Sequence, residues 1–261
     1  MKGPQRIACL SSETVEVLYA LGQEHRIVGI TAFARHPAGV TKKHPIISGF
    51  STAKSDKIIA TKPDLILAYS SLQGEIVKEC IQAGLEVYFF NQKSIAGIFN
   101  MIRTLGLLLD CSERAEQVIS ELQSEIDNAR FIAATYPVRP KVYFEEWHTP
   151  LYTGIRWVSE IIDIAGGVDV FSDTSHAVRA ADRTVKPEQV IAAAPDLILG
   201  SWCGQTFNTT VVKARDGWHS IPAVQTQQVF DIASEDLLVP GITAIKRGLP
   251  LIQSYIRNIA K

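Results

Sequence analysis

Long apolar runs are missing from this 261-residue chain. None reaches the roughly 18–20 residues that a bilayer-spanning helix requires, so no segment reads as a membrane span. Met1–Arg6 leads straight into an apolar strand and lacks the basic start, apolar stretch and small-residue cleavage site of an export signal. The chain therefore reads as cytoplasmic or as already processed. An excess of one charge is missing as well: 26 Lys and Arg stand against 27 Asp and Glu, for a net charge of −1. With no basic or acidic tract, neither nucleic acid nor an anionic membrane surface is an expected partner. Cysteine is sparse and scattered, at Cys9, Cys80, Cys111 and Cys203, with no CxxC pair. That argues against a zinc or iron–sulfur site and favours buried free thiols, with one disulfide left open. No GxSxG, GxxxxGKS/T or HExxH occurs, and Gly166–Gly167 reads as a helix stop. The six histidines lie far apart, with no matched His and acid sets in the two halves. These absences leave no catalytic residue and no metal site to name.

What is present is α/β alternation. Hydrophobic residues make up 46% of the chain, enough for one large core or two smaller ones. Strands are expected at residues 6–10, 26–31, 64–69 and 85–90. Helices are expected at residues 14–21, 54–60, 74–83 and 95–109. Gly22 and Gly84 serve as helix stops, and Pro63 ends the third of these elements. Such alternation favours parallel βαβ units. Residues 111–135 differ. Ala115, Val118, Ile119, Leu122, Ile126, Ala129 and Ala133 recur at three- and four-residue spacing, giving one helix of about 24 residues, roughly 36 Å long. Pro137 and Pro140 end it. The alternation then restarts: strands at 141–145, 196–200 and 229–232, helices at 157–165, 187–193 and 242–258, the last interrupted at Pro250.

One feature orders the rest. Residues 56–68 read DKIIATKPDLILA and residues 188–200 read EQVIAAAPDLILG, an offset of 132. Ile59, Ala60, Pro63, Asp64, Leu65, Ile66 and Leu67 recur as Ile191, Ala192, Pro195, Asp196, Leu197, Ile198 and Leu199. A repeat at half the chain length implies duplication. The expected architecture is α/β: two Rossmann-like lobes, residues 1–110 and 137–261, joined by a single long helix at 111–136, with a ligand cleft between the lobes.

Aromatic residues gather in the loops after the expected strands. Phe33 and Phe50 lie on loops, and Tyr69 and Trp202 follow the two DLIL strands. Trp147 follows KVYFEE, and Tyr152, Trp157, Phe207 and Trp218 lie near it in sequence or in the same half. Flat apolar walls of this kind suit a large planar ligand. Arg35, His36, Arg156 and Arg179 stand among the same loops, and an arginine fork there could bind a carboxylate, a phosphate or an amide edge.

In order and spacing, VGI, FARHP, ISGFS and DKIIATKPDLILAYSS, then LYTG, WVSEIIDIAGGVDVF and VKPEQVIAAAPDLILG, resemble the cobalamin and iron-chelate solute-binding proteins of ABC importers. The resemblance spans roughly residues 5–258. It implies a monomeric, extracytoplasmic, non-enzymatic binding protein with no intrinsic cofactor, whose transported ligand is cobalamin or another metal chelate. It places ligand contacts at Ser12, Glu13, Phe33, Phe50, Tyr69, Trp147, Tyr152, Arg179, Trp202 and Asp236. It assigns permease docking to one acid per lobe, Asp56 and Glu188, the leading residues of the two repeat copies. Three positions depart from the pattern: Ser12 replaces a proline, Phe33 a tyrosine and Phe50 a tryptophan. The readings that compete with it are a metal-ion or metallocluster protein of the same fold and an α/β enzyme with an active site in the cleft.

Overall fold

The computed structural model describes residues 3–261. Segments Met1–Leu122 and Val239–Thr243 form one compact unit, and Gln123–Leu238 with Ala244–Lys261 form a second. Among the described residues no helix is long and apolar enough to cross a membrane.

The first unit contains β1 (Ile7–Cys9), β2 (Ile27–Thr31), β3 (Ile46–Ser48), β4 (Leu65–Tyr69) and β5 (Val87–Phe90). They form an all-parallel sheet in the order β3-β2-β1-β4-β5. Every residue of β1 and β4 is buried, which is why these strands are unbroken apolar runs rather than alternating ones. The chain runs outward from β1 to β3 and then returns to β4 on the other side. The carboxyl ends of β1 and β4 thus mark the point where strand order reverses, the usual ligand edge of an open α/β sheet. Helices Ser12–Ala20, Ser55–Ala60, Gly74–Gln82 and Ile95–Leu108 fall within a residue or two of their expected bounds. Gly22 and Gly84 sit at φ +70° and +80°, as helix stops that need a left-handed residue. Ser11 occupies the N-cap position of the first helix, but its side chain makes no cap bond. Its hydroxyl lies 3.3 Å from that of Thr14.

The second unit contains β6 (Lys141–His148), β7 (Leu151–Thr153), β8 (Val168–Asp169), β9 (Thr184–Val185), β10 (Leu197–Gly200) and β11 (Val229–Asp231). The sheet order is β11-β10-β6-β7-β9, with β8 also paired to β6. This sheet is not parallel throughout, as the sequence alternation had suggested. β7 runs antiparallel to β6 and to β9. The cause is the connection: only Thr149 and Pro150 separate β6 from β7, and a two-residue link can join only antiparallel neighbours. β7 itself is too short to announce a period.

The repeat has a structural cause. Asp64 accepts from the backbone N–H groups of Gln5 (2.7 Å) and Arg6 (2.8 Å), and Asp196 accepts from that of Lys141 (2.8 Å). Each aspartate therefore pins the amino end of its unit's first strand, beside which its own strand then runs: β4 along β1, β10 along β6. The residues two positions earlier, Lys62 and Ala194, share a left-handed backbone at φ 48° and 47°. The likeness of the two copies extends to backbone conformation where sequence identity does not.

The long helix spans Ser112–Ala133, 22 residues, about 33 Å at 1.5 Å per residue. The boundary between the two compact units falls within it, after Leu122, and the chain re-enters the first unit at Val239–Thr243. At the carboxyl end a π-helical turn, Ala244–Gly248, precedes the helix Leu249–Ile259. Pro250 has no N–H to donate, so the regular ladder breaks where expected. All four cysteines are free. Cys9 and Cys80 are buried, Cys111 is half-buried, and Cys203 is exposed, against the expectation of buried thiols.

Candidate functional site

The expected ligand residues collect on the carboxyl edge of each sheet. In the first unit, Ser12 and Glu13 begin the helix after β1, Phe33 follows β2, Phe50 follows β3 and Tyr69 ends β4. Phe33 is half-exposed at 50%, whereas Tyr69 is buried. A residue that the sequence did not single out ties these loops together. Gln73, buried, donates from Nε2 to the carbonyls of Leu10 and Phe50, both at 2.8 Å, and accepts the Tyr69 N–H at 3.0 Å. One amide thereby fixes the ends of β1, β3 and β4 relative to one another. Lys93 Nζ stands 5.2 Å from the centre of the Tyr69 ring.

Glu13 is also buried, and its Oε1 has no hydrogen-bond partner. Burial pushes its carboxyl up to about 7, partly opposed by its backbone and Ser11 hydrogen bonds and by the charge of Lys93. Nearby Glu16 accepts the Thr243 N–H at 3.0 Å, and Gln92 donates to the Pro240 carbonyl at 3.0 Å, so this edge also anchors the 239–243 segment.

In the second unit, Trp147 and His148 end β6, and Trp202 follows β10. The Trp147 and His148 rings stack at 4.9 Å, and His148 meets Trp202 at 4.4 Å. Trp202 in turn packs edge-on against Phe207 at 5.0 Å. Phe207 lies so close to Gly200 that a Cβ there would fall 1.8 Å from its ring. Only glycine lets the aromatic group seat on β10. Trp147 and His148 are half-buried and Trp202 is buried.

Beneath this group lies Glu145, wholly buried on β6. Its oxygens accept both Nη atoms of Arg215 at 2.6 and 2.8 Å, the Trp202 indole N–H at 3.0 Å and the Tyr143 hydroxyl at 3.1 Å. A buried carboxylate needs such a donor set to remain in place. Here the same set fixes the indole of Trp202. Neither Glu145 nor Arg215 was singled out from sequence. The available signal was an acid on an otherwise apolar strand, VYFEE, which demands a buried partner.

The remaining expected residues are placed differently. Tyr152 lies on β7, opposite Trp147 and Thr184. Arg179 is exposed and holds Asp182 through two bonds of 2.7 and 2.8 Å. Asp236 accepts from Arg247 at 2.6 Å. Trp157 and Trp218 are core residues, the former donating to the Leu237 carbonyl at 2.9 Å. Asp56 and Glu188 are both exposed and occupy the second position of matching short helices, Ser55–Ala60 and Pro187–Ala193. Among the described residues no group of three or more His, Cys, Asp or Glu could hold a metal ion.

Known proteins resemble this chain in sequence and in fold. Over 88% of its length the chain is 25% identical to an uncharacterised ABC transporter substrate-binding lipoprotein of Bacillus subtilis, covering 73% of that protein. It is likewise 25% identical to the vitamin B12-binding protein of Vibrio parahaemolyticus, over 88% of this chain and 82% of the relative. The fold matches an apo periplasmic heme-binding protein from Roseiflexus sp. RS-1 with a TM-score of 0.83, at 23% identity, over 99% of this chain and all of that one. It matches the periplasmic vitamin B12 binding protein of Vibrio cholerae with a TM-score of 0.78, at 21% identity, over all of this chain and 99% of the other. Residues 7–235 match the family model described as periplasmic binding protein, and the chain belongs to that family of binding proteins.

Proposed function

We propose that this chain captures cobalamin or a related corrinoid or metal chelate for an ABC importer, on the extracytoplasmic side of a membrane. The observation that carries this reading is the aromatic group at the carboxyl edge of the second sheet. Trp147 and His148 form a stacked, half-buried pair, backed by Trp202, whose indole is fixed by Glu145. A rigid flat apolar face suits a large planar solute, because it supplies contact area at little cost in side-chain freedom. Relatives named for vitamin B12 binding support the choice of solute. Tyr69, Phe50 and Phe33 provide further aromatic surface on the first unit's edge, with Ser12, Glu13, Tyr152, Arg179 and Asp236 as the proposed polar contacts.

Absorbance or calorimetric titration with cobalamin, cobinamide, haem and ferric chelates tests the reading. Stoichiometric binding of one of them without turnover is expected; failure of all four classes refutes it. The exposed carboxylates Asp56 and Glu188 are proposed to dock on cationic groups of the permease. Asp56→Arg or Glu188→Arg should leave solute affinity within about twofold, because surface charges act weakly at a distance in salt, and should cut transport. If either change abolished solute binding, the docking assignment would be wrong.

A further inference from the structure

We infer that Val239–Thr243 is a strap whose seat on the first unit is latched by the proton on Glu13, so that the strap loosens as pH rises. The inference holds whichever solute is carried. The chain enters the first unit from the second at Val239 and leaves it again after Thr243. Pro240, Gly241 and Thr243 are buried there. Two side chains hold the strap: Gln92 donates to the Pro240 carbonyl at 3.0 Å, and Glu16 accepts the Thr243 N–H at 3.0 Å. Gly241 lies directly on the start of the helix Ser12–Ala20. A Cβ at that position would fall 2.8 Å from the Glu13 Cβ and 2.9 Å from the Glu16 Oε2. The strap therefore packs against Glu13 with no room for a methyl group.

Polar atoms beside the strap lack partners. Glu13 Oε1 and Gln92 Oε1 are both buried acceptors that receive no hydrogen bond. The strap's amides are spent elsewhere or missing: Pro240 has none, that of Gly241 goes to the Val239 carbonyl at 2.8 Å, and that of Thr243 goes to Glu16. A neutral carboxyl tolerates this position, but a carboxylate away from water needs donors.

The neighbouring charges leave that preference in place. Lys93, after β5, favours ionisation of Glu13. Glu16 on the same helix is an acid, and Cys9 on β1 has a thiol that burial pushes up to about 12. The strap itself contains no titratable residue. Burial outweighs Lys93 and the Ser11 hydrogen bond, and the Glu13 carboxyl is pushed up to about 7. A carboxyl raised in this way stabilises the seated strap at low pH and ceases to do so as pH passes its own pKa. Once ionised, Glu13 regains water when the strap lifts and the bonds to Gln92 and Glu16 break. For a carboxyl that falls from about 7 to an ordinary 4.5 on release, the opening constant rises about tenfold between pH 6 and pH 8.5.

Hydrogen–deuterium exchange of the full, solute-free chain at those two pH values tests the latch, with each rate divided by its intrinsic rate. The strap should lose about tenfold in protection in the wild type, and less than about twofold in Glu13→Gln. Gly241→Ala displaces the strap from Glu13, so it should exchange faster than the wild type already at pH 6 and lose the pH dependence. At both pH values the strap should be far less protected than the Leu10 and Ile66 amides, which bond Leu67 and Glu86 within the sheet at 2.8 and 2.9 Å. Equal protection of the wild-type strap at the two pH values, or the same fall in Glu13→Gln, would overturn the inference. Strap exchange no faster than that of Leu10 and Ile66 would also overturn it, because the strap would then open only with the whole unit.

Discussion

Replacing Glu145 should expose how far the aromatic face depends on one buried carboxylate. In Glu145→Ala, Arg215 loses both partners of its fork, and the Trp202 indole and Tyr143 hydroxyl lose their acceptor. Breaking a buried ion pair from one side costs about 3–5 kcal/mol. Each stranded buried donor adds about 1–3 kcal/mol where water cannot reach it. Arg215 moderates the total: its side chain is 18% exposed, and its guanidinium still lies 4.5 Å from the centre of the Trp218 ring. A net loss at the lower end of that sum, about 5 kcal/mol, is therefore expected. Glu145→Gln keeps an oxygen for the indole and should lose about half as much. The double change Glu145→Leu with Arg215→Met removes both charges together, and should cost less than Glu145→Ala alone. Urea unfolding followed by tryptophan emission and by far-ultraviolet circular dichroism measures all three. A loss below about 1 kcal/mol for Glu145→Ala, or a double variant weaker than the single one, would refute the claim that this pair holds Trp202.

Other perturbations follow from the same geometry. Glu13 should make stability fall with rising pH. Its carboxyl is raised from the usual 4.5 to about 7, so the folded chain keeps a proton that the unfolded chain releases. The contribution is complete below pH 4.5 and lost by about pH 7, at most about 3 kcal/mol at 1.36 kcal/mol per unit. Glu13→Gln should accordingly exceed the wild type in urea midpoint at pH 8 and not at pH 4.5; equal midpoints at pH 8 would contradict the assignment. Gly200→Ala places a methyl group where the Phe207 ring now sits. It should cost about 1–3 kcal/mol and shift Trp202 emission, and an unchanged spectrum would count against the packing described. Asp64→Ala removes two backbone hydrogen bonds and Asp196→Ala removes one. Thermal melts should show the larger loss for Asp64, by about 1 kcal/mol.

Much of the scaffold was legible because it obeys local rules. Each parallel strand of the first unit except β3 is an apolar run between a glycine or proline stop and a helix, so its position follows from composition. The strands that escaped notice, β3 and β7 to β9, have two or three residues each, too few to show a period. β7 also owes its direction to a two-residue link, not to its own sequence. The placement of aromatic residues after strand ends was legible because topology alone sends such loops to the carboxyl edge of the sheet. Gln73, Glu145 and Arg215 were not. Their roles depend on partners 23 to 70 residues away, as in Gln73 to the Phe50 carbonyl and Arg215 to Glu145, and no periodicity encodes such distances.

The repeat stops where the carboxyl edges of the two sheets begin to differ. Through Leu67 and Leu199 the two copies serve one purpose: an aspartate pins the neighbouring strand, a left-handed residue precedes the proline, and a buried strand follows. One residue later they part. Ala68, Tyr69 and Ser70 stand opposite Gly200, Ser201 and Trp202 at the same offset. In the first copy the chain turns at Ser70, φ 71°, and Gln73 binds the loops together. In the second, Gly200 admits Phe207 and Trp202 reaches Glu145. Selection for folding acts on both copies alike, because each must bury the same strand against its own partner. No such shared demand holds at the carboxyl edge, where each copy fixes a different set of loops. The shared residues are thus those that pin and bury a strand, and the residues that differ are those that hold each edge's own loops and rings.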